Sequence, residues 1–394
     1  MEWSFRSKHQ LEIIRSIGVK LMLFVLTIIV SFIASLLFKN TRIIGALGFI
    51  SLAWLAGTAD ERTTTDYAVY KIHFNSIGYE VSPFEKGYTG MSVYFSHIGF
   101  DYAEFRLLFV FLAFTILFFG VTLFTKNVAM FTWIYGITVF FNDATQIRNL
   151  MMISMVILGS AIFLKFSLIG KCLGSLLILF SSQFHDLGFL FILIIPIFLI
   201  NKKILTKIEV WIISVAGIIL MFVTIFGNSL LQRILVKFLI SFSSRNDSAS
   251  NVQNNFSRGT SVSIILLIWA TVLLVLYLSN KFISSLSETQ KIRINQLKML
   301  YSGIFISIIA LLLIVMSPDY SRISRNAFLF FIILATIYIT DSQQKSTLFK
   351  HGRILFVLSL ILVTYTHTMI WGSDYQNSIA YIAKLKNSNI ISGD

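Results

Sequence analysis

The 394-residue chain has one cysteine, three prolines and little charge: only 13% of its residues are Asp, Glu, Lys or Arg, against roughly 25% in a soluble globular protein. A monomer must still cover its outside with polar groups, so this shortage excludes a soluble enzyme. It equally excludes a disordered chain, which needs charge and few apolar residues. The lone Cys172 can neither pair within the chain nor build a thiolate zinc site, and its apolar surroundings make it a filler facing lipid or core. No glycine-rich phosphate loop is present, which excludes ATP-driven transport. No D-x-D occurs and the six histidines are scattered, so no metal-bound nucleotide-sugar site is expected. No metal and no cofactor are called for.

What the chain has instead is apolar: 56% hydrophobic residues and a mean hydropathy of +0.81. A bilayer core takes about 20 apolar residues as helix. Runs at 18–38, 105–124, 150–169, 210–227, 261–280, 301–317 and 354–371 qualify. Shorter runs at 43–57, 128–141 and 327–340 cross only beside neighbours. The stretch 172–200 carries Ser181, Ser182, Gln183, His185 and Asp186 at its middle and reads as two short helices meeting at a polar elbow. The fold class expected is an all-α polytopic membrane protein of about 12 helices, some short or broken. Residues 1–394 then form a single integral membrane domain, with polar loops at 58–104 and 227–260. The first span is too long for a cleavable h-region and lacks a small-x-small cleavage site.

Net charge is +14, and its distribution sets the orientation. If loop 58–104 faces outward, Lys and Arg are about twice as dense in the inward loops as in the outward segments, as the positive-inside rule requires. Arg6, Lys8, Arg15 and Lys20, ahead of the first span, run against it. Most of the positive surplus is thus a topology signal and asks for no nucleic acid. Loop 58–104 departs from the rest, with seven acids against three bases and six of the fourteen tyrosines. Aromatic faces beside carboxylates suit sugars, and equally an interfacial belt. Met91, Tyr94, Phe95 and Ile98 have the spacing of an amphipathic surface helix.

Three polar clusters fall on this outward side. Gln146 and Arg148 open a membrane helix, where a charge is costly unless it snorkels, pairs or works. His185 and Asp186 interrupt an apolar run; a capping Asp and a turn-bound His is the structural alternative. Arg322 and Arg325 share a helical face and make a fork suited to a diphosphate, although Asp319 stands one turn before Arg322 and can pair with it.

In order and spacing, these residues resemble a known family. Gly57-Thr58-Ala59-Asp60, Thr65-Asp66-Tyr67-Ala68-Val69-Tyr70, Phe74 and Glu85-Lys86-Gly87-Tyr88 resemble the opening motif of EpsG-like, Wzy-type polysaccharide polymerases. Gln146-Ile147-Arg148, Phe184-His185-Asp186 and the late arginines resemble their later motifs, and together they cover roughly residues 20–340. Asp60 and Asp66 compete for the family aspartate, Tyr67 and Tyr70 favouring Asp66. Asn149-Leu150-Met151-Met152 replaces the family's small residues.

The resemblance implies a bacterial cytoplasmic-membrane enzyme with a GT-C-like helix arrangement and its active site on the outer face. Such an enzyme transfers a growing glycan from undecaprenyl diphosphate onto a new lipid-linked repeat unit, with a chain-length regulator as partner. On that reading Arg148, Arg322 and Arg325 hold the diphosphate, and Asp66 or Glu85, with His185 as rival, accepts the hydroxyl proton. Tyr67, Tyr70, Tyr88 and Gln146 face the glycan. A flippase for lipid-linked glycans, or a membrane glycan ligase, remains the alternative. A flippase also calls for internal repeats, and the two halves share no clear self-similarity.

Overall fold

The computed structural model describes residues 2–59, 64–165, 168–226, 260–289 and 293–341, together with Leu358. All regular structure in these residues is helical. The chain runs α1 (Glu2–Leu37), α2 (Arg42–Gly57), α3 (Thr65–Asn75), α4 (Lys86–His97), α5 (Tyr102–Phe124), α6 (Val128–Thr138), α7 (Phe140–Thr145) and α8 (Ile147–Lys165). It continues with α9 (Leu168–Phe180), α10 (Gly188–Phe191), α11 (Ile194–Leu199), α12 (Lys202–Phe226), α13 (Val262–Thr289), α14 (Ile294–Phe305), α15 (Ile308–Leu313) and α16 (Ser321–Asp341).

Seven helical segments among the described residues are long and apolar enough to cross a membrane, and four shorter apolar segments accompany them. The protein is a multi-pass α-helical membrane protein. The expected run 354–371, Leu358 excepted, and nearly all of loop 227–260 lie outside the described residues, as does Asp60. Five spans start earlier than hydropathy places them, two of them across arginines. The last described span is Pro318–Thr340 rather than 327–340, and α8 opens at Ile147 rather than 150. In both cases arginines lowered the apolar score of a segment that is nonetheless helical: Arg148 and Arg325 are buried and hydrogen-bonded, and the half-buried Arg322 pairs with Asp319. Stretch 172–200 does break: α9 ends in a 3₁₀ turn, Ser181–Gln183, and the short helices α10 and α11 follow.

The core packs α5 against α2 and α8, α8 against α9, and α16 against α13 and α14. At one end of the bundle the α1–α2 and α5–α6 turns interlock. Thr41 Oγ1 donates to Asn127 Oδ1 at 2.8 Å, and Asn127 Nδ2 donates to Ser35 O at 3.0 Å. Gln296 at the start of α14 donates to Phe124 O at 2.6 Å. This is the end that holds the loops expected to face inward. At the opposite end Lys20 Nζ donates to Thr58 O at 2.7 Å, and there α3, α4, α7, the 181–188 elbow and the start of α16 meet. Cys172 is exposed on α9.

Candidate functional site

The site is built from the starts of two membrane helices. Arg148 lies in the first turn of α8 and Arg325 in the second turn of α16. Unpaired N–H groups give a helix N-terminus a partial positive charge, so a cation there is destabilised unless an anion or acceptor answers it. Each arginine is answered. Glu85 Oε2 accepts a hydrogen bond from Arg148, and Gln146 Oε1 accepts one from Arg325. The Arg148 guanidinium also lies over the Phe84 ring at 4.2 Å from its centroid, and its Nε donates to Tyr70 Oη at 3.4 Å.

Glu85 reaches this position because it is the N-cap residue of α4 but does not cap it. Its side chain makes no bond to its own helix. Its other oxygen instead accepts the Asp186 N–H at 3.3 Å, from the elbow 101 residues away. Close approach of α4 to the elbow depends on Gly87: a Cβ there would stand 2.7 Å from Gln183 O. Glu85 and Arg148 are 4% and 8% exposed, so the pair is sealed beneath Phe84, Tyr70 and Tyr88.

Of the three predicted tyrosines, none has its ring face on the surface. Tyr67, Tyr70 and Phe74 form the buried stripe of α3, and Tyr88 is fully buried in α4. Tyr67 packs edge-on to Tyr102 at 4.8 Å, and Tyr88 edge-on to Phe109 at 5.3 Å. The i, i+3, i+7 spacing of Tyr67, Tyr70 and Phe74 was the sequence signal for this packing role. Burial raises the Tyr70 phenol above its usual range; Arg148 opposes that, Asp66 adds to it, and Arg322 opposes it further. Asp66, Arg148 and Arg322 thus all bear on the charge of this one hydroxyl. Arg322 also donates to Asp319 Oδ1 at 3.0 Å, the pairing the sequence offered as the alternative. His185 turns its Nδ1 to the Leu187 N–H at 3.2 Å, a local turn contact, while Asp186 presents its backbone to Glu85.

Several polar residues at this end carry weight that the sequence reading missed. Arg106, fully buried in the first turns of α5, donates to Ala56 O at 3.2 Å, Ala144 O at 2.6 Å and Tyr102 Oη at 3.3 Å. It ties down the C-terminal carbonyls of α2 and α7, where a cation is favoured. A charge inside the apolar run 105–124 was the available signal. Asp143 in α7 accepts the Tyr135 hydroxyl at 2.9 Å, and burial pushes its carboxyl up to about 6 while Arg325 pulls it down. Asn149 and Asn326 exchange two amide hydrogen bonds at 2.9 and 2.8 Å, joining α8 to α16 next to both arginines. His73 on α3 is held below its usual value by burial and by Arg148.

The arrangement therefore offers guanidinium groups and two helix N-termini for an anion, carboxylates within the same shell, and an aromatic wall. A sequence model described as the EpsG family matches residues 42–382 of the chain. No curated protein and no solved structure matches it.

Proposed function

This chain belongs to the EpsG family, and we propose that it is a membrane glycosyltransferase that lengthens a lipid-linked polysaccharide. The reaction moves the growing glycan from a prenyl diphosphate onto a hydroxyl of the next lipid-linked repeat unit. The acceptor oxygen bonds to the anomeric carbon as the bond from that carbon to the diphosphate oxygen breaks. The electron pair leaves with the lipid diphosphate, and the hydroxyl proton goes to a carboxylate.

One observation carries this reading. Arginines stand at the N-terminal ends of two different membrane helices, α8 and α16, against the field of each helix and at one end of the molecule. A diphosphate bound there is stabilised by the fork of each guanidinium and by the helix ends together. Negative charge grows on the leaving group during transfer, so groups fixed in advance around it lower the barrier. Arg148, Arg322 and Arg325 take that role. Glu85 or Asp66 is the proton acceptor, Glu85 lying on Arg148 and Asp66 acting on the same Tyr70 hydroxyl. His185 is the third choice, because its Nδ1 is engaged in its own turn. Gln146 orients Arg325. With their rings packed and the Tyr88 hydroxyl sealed inside, Tyr67, Tyr70 and Tyr88 back the glycan site as its wall. A GT-C-like helix arrangement, an outward-facing site and a chain-length regulator as partner complete the proposal.

The test is direct. Purified protein supplied with lipid-linked repeat units should convert them into longer lipid-linked glycans, resolved as a ladder. If the units stay single and their glycan leaves the lipid only for a different acceptor once one is added, the protein is a ligase. If they cross a vesicle bilayer unlengthened, it is a flippase.

A further inference from the structure

We propose that Glu85 is the resident anion of the diphosphate site: it occupies on Arg148 the place a phosphate oxygen takes, and the substrate displaces it. This rests on the reading that Arg148 grips a diphosphate, and it assigns Glu85 two successive positions.

The two roles given to Arg148 and Glu85 exclude one another in the structure as it stands. The guanidinium is committed to Glu85 through one terminal nitrogen and to Tyr70 through Nε, with Phe84 covering its face. A diphosphate cannot enter the fork while the carboxylate is there, and Glu85 cannot accept a hydroxyl proton while it neutralises Arg148. Exchanging one anion for the other resolves both problems. Carboxylate and phosphate present the same oxygens to a guanidinium. Exchange also means that the buried cation is never left uncompensated, a state that is strongly destabilising.

The fold has the parts for such an exchange. Glu85 forgoes the capping bond its position offers and spends its oxygens on Arg148 and the Asp186 N–H. The connection carrying it begins at Gly78, at φ 89°, one of the two residues with positive φ among those described. Its outer side is exposed, Tyr79 at 90% and Val81 at 82%, and at its far end Gly87 rests on the elbow. Tyr88, fully buried against Phe105 and Phe109, anchors α4 itself, so the segment that can lift is residues 79–86. Lifting it carries Glu85 off Arg148, uncovers the guanidinium by moving Phe84, and releases the Asp186 N–H. The charged and titratable groups facing the pair are Asp66, Tyr70 and His73 on α3, Tyr88 on α4, Asp186 on the elbow and Arg322 on α16. Once Arg148 is neutralised by diphosphate, Glu85 is the carboxylate freed beside the acceptor.

The experiment uses the full-length protein in nanodiscs, farnesyl diphosphate as the probe and farnesol as its uncharged control. Wild type, Glu85→Gln and Arg148→Ala are compared. Removing the competing anion should tighten farnesyl diphosphate binding in Glu85→Gln by roughly tenfold, the equivalent of one charge-assisted hydrogen bond, leave farnesol unaffected, and abolish glycan lengthening. Arg148→Ala should lose diphosphate binding. Should Arg148→Ala bind as wild type does, the diphosphate reading fails and takes this inference with it. Should Arg148→Ala lose binding while Glu85→Gln binds no tighter than wild type, only the displacement is overturned. Hydrogen exchange on the wild-type protein gives a readout that needs no variant: farnesyl diphosphate should speed exchange of the Asp186 amide and of residues 79–86. Unchanged or slower exchange there overturns the displacement.

Discussion

Arg148 illustrates how one residue's meaning changes once its neighbours are known. In sequence it is a cation at the start of an apolar run; in the fold it is a buried guanidinium bonded to Glu85 and Tyr70. Arg148→Ala should therefore abolish long glycan chains while single repeat units persist, seen as a one-rung ladder on a gel. Arg148→Lys should restore little, since a point charge cannot fork a diphosphate or keep the planar contact with Phe84. A normal ladder in Arg148→Ala would remove the residue from the mechanism. Asp143 yields a prediction in pH. Its folded value of about 6 stands above the ordinary 3.8, so the folded protein binds this proton more tightly than the unfolded chain. The stabilisation is complete below about 4 and is lost as pH rises to about 6. Asp143→Asn should flatten that part of the stability profile, measured as the difference from wild type in thermal unfolding between pH 4 and 7. An unchanged slope would show that Asp143 is not the titrating group.

At the scale of elements, the helix starts and the close helix contacts shape the site. The capping box of α5 is a local instruction, with Asp101 accepting the Glu104 N–H at 2.8 Å and Glu104 accepting the Asp101 N–H at 3.0 Å; it was readable from D-x-x-E. The elbow was equally readable, because Ser181 to Asp186 interrupt an apolar run. The docking of α4 on that elbow was not, since nothing in E-K-G states which backbone Gly87 will meet. Gly87→Ala places a methyl 2.7 Å from Gln183 O and should push α4 outward, costing about 1–3 kcal/mol and slowing lengthening severalfold. Gly90→Ala on the same helix meets nothing within 4 Å and should leave both unchanged. Equal effects of the two substitutions, in unfolding and in lengthening assays, would show that the contact has no bearing on the site.

At the scale of the whole molecule, the site joins two parts of the chain that are far apart in sequence, and the Asn149–Asn326 pair is the joint. Losing one amide strands its buried partner, at about 1–3 kcal/mol. Asn149→Ala and Asn326→Ala should each destabilise by that order, and the double variant by less than their sum, leaving a coupling of about 1 kcal/mol in a double-mutant cycle. Strict additivity would mean that the two amides do not act as a pair. Composition by itself determined that lipid is the solvent, so that the backbone must be satisfied internally, and the length of the apolar runs pointed to helices, the only regular structure among the described residues. Hydropathy placed most spans, and motif order led to the family. Two kinds of fact came only with the tertiary structure. Tyr67, Tyr70 and Tyr88 became wall rather than surface, because burial depends on what packs against a stripe and the stripe's own spacing is the same either way. The partners of the arginines, Glu85 for Arg148 and Gln146 for Arg325, were set by where α4, α8 and α16 begin in space. A sequence records that a charge sits in an apolar run and must be compensated, but the compensating group is chosen by proximity, which is a property of the folded chain.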